Sequence, residues 1–117
     1  MSFYRSILGF VAIFAALFPG SVVPRAQDQQ VIIETGVRAS MTDGVALVAD
    51  IYRPSAPGKF PVLLQRTPYD RRDPVTGSFL ASHGYVVVIQ DTRGRFDSGG
   101  EFDPFRYEAR DGYDTVA

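Results

Sequence analysis

A chain of 117 residues has room for one small domain, and a composition of 45% hydrophobic and 13% aromatic residues suits a folded protein rather than a disordered one. Its formal charge of −1 lacks the basic excess of a nucleic-acid binder. With no cysteine and one histidine, it has no disulfide, no thiolate nucleophile and no thiolate or multi-histidine metal site.

Residues 1–26 read as a secretory signal peptide rather than as part of the fold. Arg5 and the terminal amine make a short basic region. Ile7 to Phe18 (ILGFVAIFAALF) is an apolar run, shorter than the about 20 residues of a membrane-spanning helix. Pro19-Gly20 breaks it. Ala26 suits the last position of a leader, although Pro24 stands where a small residue is usual, and cleavage near Ser21 also fits. An uncleaved anchor is the alternative, because Val22-Val23 prolongs the apolar stretch. The expectation is an exported protein, periplasmic or secreted, whose mature part is 27–117.

The mature part alternates strands with punctuated loops. Val31 to Ala39 is rich in β-branched residues and Val45 to Tyr52 alternates, so both are expected as strands. Thr42-Asp43-Gly44 between them is a turn signal, and the two strands should form an antiparallel hairpin. Pro61 to Gln65 (PVLLQ) is an almost unbroken apolar run, the pattern of a strand buried on both faces. Residues 67–77 read as a long polar loop. Ser78 to His83 reads as a short helix that Gly84 ends. Tyr85 to Gln90 (YVVVIQ) is the strongest strand signal. A second long loop, 91–105, follows, and a helix begins at Glu108 with Asp111 and Asp114 near its positive end. Apolar strands separated by helices imply parallel pairing through a crossover, with a site at the strands' carboxyl ends. The segments at those ends are 66–73 and 91–105.

In the first segment, Pro68 stiffens the backbone leading into Tyr69. The Tyr69 hydroxyl either donates to an oxyanion or rests in water while its ring packs on the core. In the second, Arg93 either binds a substrate anion or joins a structural pair with Asp91, which is the simpler role. Ser98-Gly99-Gly100-Glu101 is no phosphate loop, since Glu101 stands where lysine is needed. His83 suits a helix end better than a catalytic base. No serine lies in a G-x-S-x-G elbow, so neither nucleophile nor base is present in these residues.

The motifs occur in a telling order. Met41-Thr42-Asp43-Gly44-Val45 is followed by Asp50-Ile51-Tyr52-Arg53-Pro54, Phe60-Pro61-Val62-Leu63-Leu64 and Arg66-Thr67-Pro68-Tyr69-Asp70. Then come Gly84 to Arg95 (GYVVVIQDTRGR), Ser98-Gly99-Gly100-Glu101-Phe102 and Asp111-Gly112-Tyr113-Asp114-Thr115. This series resembles the N-terminal part of the CocE/NonD serine hydrolases, which are X-Pro dipeptidyl-peptidase-like, S15-type α/β-hydrolases. The resemblance implies an α/β fold: the N-terminal portion of an α/β-hydrolase, with an antiparallel hairpin leading into a parallel sheet. It implies a Ser-His-Asp triad beyond these residues and makes the Tyr69 hydroxyl an oxyanion-hole donor. It implies ester, amide or short peptide substrates, no cofactor, no metal, no nucleic acid, and no membrane after signal cleavage. The expectation is thus the front of a larger exported hydrolase, inactive as 117 residues alone. The alternative is a catalytically inactive, truncated hydrolase-like binding or structural protein.

Overall fold

A computed structural model describes residues 30–117. The proposed signal peptide lies outside the described residues. The elements in chain order are β1 (Val31–Ser40), β2 (Ala46–Pro54), β3 (Val62–Thr67), α1 (Pro74–Ser82), β4 (Val86–Asp91) and α2 (Glu108–Val116).

The strands form one sheet in the order β1-β2-β4-β3. β1 and β2 make the expected antiparallel hairpin, from Val31 opposite Pro54 to Ser40 opposite Ala46. Its turn closes through Met41 N–H to the Val45 carbonyl (2.8 Å), and Gly44 takes the left-handed backbone (φ +86°) the turn signal called for. A bulge between Glu34 and Val37 bends β1, and the Gly36 N–H there donates to Asp50 Oδ1 (3.0 Å). β2 runs antiparallel to β4, while β3 runs parallel to β4, with α1 as the crossover between them. The mixed sheet is the expected antiparallel hairpin leading into a parallel pair.

α1 begins earlier than the sequence suggested. Residues 73–77 belong to a helix start rather than a loop. Asp73 caps it by accepting from Thr76 N–H (3.1 Å), and Pro74 occupies its first turn, where a missing N–H costs nothing. Gly84 (φ +94°) ends it as expected. α1 has small residues where it meets the sheet. Gly77 lies against the Tyr52 ring, and Ala81 joins Tyr52, Val87 and Ile89 in the core.

β3 corrects the expectation of burial on both faces. Val62, Leu63 and Leu64 are 61%, 39% and 36% exposed. β4 is its one strand neighbour among the described residues, and burial sets in only at its carboxyl end, where Arg66 meets Glu108 of α2 and Thr67 is buried. The doubly buried strand is instead β2, where Leu47, Val48, Ala49, Asp50 and Tyr52 are all buried. No helix among the described residues is long and apolar enough to cross a membrane.

Candidate active site

Because β3 and β4 are parallel neighbours, their carboxyl ends lie side by side, Thr67 opposite Asp91. The segments that follow them, 68–73 and 92–107, build the site together.

Thr67 is buried, and its Oγ1 accepts from the Tyr69 N–H (3.0 Å). Pro68 lies between, and its carbonyl accepts from Arg95 Nε (2.9 Å). The Tyr69 side chain emerges 84% exposed, so its ring is not packed on the core. It lines a cleft of about 340 Å³ together with Arg66, Thr92, Phe102, Phe105 and Glu108. That volume is within the range of small-molecule sites. Two buried polar atoms on its lining residues, Arg66 Nη2 and Thr92 Oγ1, have no hydrogen-bond partner. Asp70 then turns the chain through a left-handed conformation (φ +96°), with its carboxylate accepting from the Arg72 N–H (3.1 Å).

Arg71 goes the opposite way to Tyr69 and is buried. Its Nε donates to Asp50 Oδ1 (2.8 Å). Its Nη1 donates to Asp91 Oδ2 (2.7 Å) and Asp97 Oδ2 (2.6 Å), and its backbone N–H donates to Asp91 Oδ1 (2.8 Å). Burial by itself would make this guanidinium easier to deprotonate. The bonds to Asp97, Asp50 and Asp91 outweigh that and hold its pKa above the ordinary arginine value. Reciprocally, the bond from Arg71 holds the Asp97 carboxyl below its usual range.

Arg93 forms a second hub. It grips Asp111 with two bonds (Nε to Oδ2 2.9 Å, Nη2 to Oδ1 2.7 Å) and meets Asp43 through Nη1 (2.9 Å). The paired bonds to Asp111 dominate over burial and raise its pKa as well. The second hub thereby ties the end of β4 to α2 and to the hairpin turn. Ser98 is a staple between layers, donating to the Asp91 carbonyl (2.7 Å) and accepting from the Val48 N–H (2.9 Å). Gly94 (φ +72°) passes so close to Glu101 and Phe102 that a Cβ would overlap their backbone.

The sequence placed Tyr69 correctly at the carboxyl end of a strand. It also read the Arg93 region as structural, but with the wrong partner: Arg93 pairs with Asp111 and Asp43, while Asp91 pairs with Arg71. His83 closes α1, its Nδ1 2.8 Å from the Phe79 carbonyl, and does not line the cleft. Arg71 was missed. Its signal was Asp50, the lone charge in the ALVADIY run of β2, which needs a buried cation. Among the described residues no group of His, Cys, Asp or Glu is arranged to hold a metal.

Residues 43–117 match the family model of the X-Pro dipeptidyl-peptidases (S15 family). The chain belongs to this family. The chain is 45% identical over 92 residues to the cocaine esterase of Rhodococcus sp. (strain MB1 Bresler), covering 73% of this chain and 16% of that protein. The fold matches a CocE/NonD family hydrolase of Staphylococcus aureus with a TM-score of 0.66 at 29% identity, covering 75% of this chain and 20% of the other. An α-amino acid ester hydrolase matches with a TM-score of 0.61 at 28% identity, over 81% of this chain and 19% of the other. The chain thus spans about a fifth or less of these relatives.

Proposed function

We propose that this chain is the front of an exported serine hydrolase that cleaves ester or amide bonds of acyl or peptidyl substrates. A Ser-His-Asp triad beyond residue 117 supplies the nucleophile and base. The Tyr69 hydroxyl donates to the oxyanion of the tetrahedral intermediate. As serine attacks, the carbonyl oxygen gains negative charge, and a hydrogen bond donated by the Tyr69 phenol stabilises it.

The observation that supports this role is the presentation of Tyr69. An aromatic ring left 84% exposed at the carboxyl end of a strand, beside a cleft, gains little from burial. A solvent-exposed phenol at the end of β3 is in the region where α/β-hydrolases place half of their oxyanion hole. The cleft walls supplied by Phe102 and Phe105 suit an apolar acyl group.

The test uses the full-length protein that carries this chain, with a 4-nitrophenyl ester as substrate. Tyr69→Phe is expected to lower kcat roughly 100-fold, as loss of one oxyanion donor does, with its melting temperature unchanged. Near-normal turnover would overturn the assignment. A stop codon directly after Ala117 would instead favour the catalytically inactive hydrolase-like protein.

A further inference from the structure

We propose that Arg95 is a positioning residue for Tyr69: it sets where the phenol hydroxyl points by holding the peptide group between Pro68 and Tyr69. This deepens the oxyanion role proposed above and rests on it.

A single peptide plane carries both the Pro68 carbonyl and the Tyr69 N–H. Each end of that plane has a partner. Arg95 Nε donates to the carbonyl (2.9 Å), and Thr67 Oγ1 accepts from the N–H (3.0 Å). Two residues on, the Arg71 N–H is anchored to Asp91 (2.8 Å). The backbone is therefore pinned before, at and after the tyrosine.

Tyr69 needs this, because nothing else holds it. Its ring is 84% exposed, so packing restricts it little. Two side-chain torsions link the backbone to the hydroxyl, so a rotation of the 68–69 peptide swings the oxygen through a long lever. An oxyanion donor must lie within about 2.7–3.1 Å of the developing charge. Misplacement by about 1 Å costs on the order of 100-fold in rate.

Arg95 is itself held for the task. Its guanidinium carbon stands 5.3 Å from the Phe96 ring centroid and 5.0 Å from that of Phe102, and its backbone N–H donates to the Thr92 carbonyl (3.0 Å). Arg95 follows a left-handed turn at Gly94 (φ +72°) and reaches the β3 loop through Nε. The glycine-containing segment after β4 thus braces the loop after β3.

The experiment is a double-mutant cycle on the full-length protein, with a 4-nitrophenyl ester as substrate. Arg95→Gln is expected to lower kcat about 10- to 100-fold with KM within about twofold. In the Tyr69→Phe background the same change is expected to cost nothing further, because there is no hydroxyl left to aim. Arg95→Lys keeps the charge and the apolar stem but carries a methylene where arginine has the Nε–H that meets the Pro68 carbonyl, so it should fall with Arg95→Gln. It also carries the test if Arg95→Gln melts early. Losses that multiply independently of Tyr69→Phe, an effect confined to KM, or full rescue by Arg95→Lys would overturn positioning and leave the oxyanion role standing. Full activity of Tyr69→Phe alone would remove both.

Discussion

The segments leaving β3 and β4 start side by side and are built for opposite purposes. The one after β3 is short and presents a side chain: Tyr69 stands out into solvent. The one after β4 is long and first anchors itself, before it brings Phe102 and Phe105 to the cleft. Arg93 and Ser98 are buried, and their partners are other parts of the fold. The contrast shows how an exposed donor gains a fixed position. The precision comes from its neighbour, through Asp91 on Arg71 and Arg95 on Pro68. Charge is used for construction throughout. Each buried guanidinium meets more than one carboxylate, so the cost of burying ions is offset by several short bonds at once.

The comparison can be broken most severely at Arg71. Replacing it with methionine leaves Asp50 and Asp91 buried without their cation, and unfolding free energy should fall by about 3–5 kcal/mol in a urea titration. Gly94→Ala acts on the other segment. A side chain there is strained at φ +72° and collides with the backbone of Glu101 and Phe102, for a loss of about 1–3 kcal/mol by the same measurement. Asp73→Ala removes the cap that starts α1 just past the presenting loop and should cost about 1 kcal/mol. Tyr69→Phe is at the far end of the scale: within about 0.5 kcal/mol in stability, although it removes most turnover. A large stability loss there would mean that Tyr69 is structural after all.

Acid sharpens the same contrast. The Asp97 carboxyl is held low by Arg71, Asp43 by Arg93, and Asp114 by the Thr42 N–H and hydroxyl. Each has a folded pKa below its unfolded one, so the unfolded chain takes up protons first as pH falls. Their stabilisation is complete above about pH 4 and is lost as pH drops through the folded values. Melting temperatures measured at pH 7, 5, 4 and 3 should be flat at first and then fall.

Local chemistry in the sequence determined the hairpin, its Gly44 turn, the parallel pair formed by PVLLQ and YVVVIQ, the end of α1 at Gly84 and the start of α2 at Glu108. These depend on residues a few positions apart, and so they are legible along the chain. The missed start of α1 was local too. Asp73-Pro74 is a cap followed by a first-turn proline, hidden in a stretch whose polarity reads as loop. The position of Tyr69 followed from strand order and the family motif together.

Only the tertiary structure decided which charges pair. With 12 basic and 13 acidic residues in the chain, spacing does not choose among the combinations. Arg71 meets Asp50 and Asp91 across separations of 21 and 20 residues, and Ser98 reaches Val48 across 50. The apolar run of β3 does not say what covers it: among the described residues β4 is its one strand neighbour, and Val62, Leu63 and Leu64 are exposed. The bracing of the Pro68–Tyr69 peptide spans 27 residues to Arg95 and exists because parallel pairing brings two strand ends together. Residue types record what each group can bond to; the sheet decides which of those partners comes within reach.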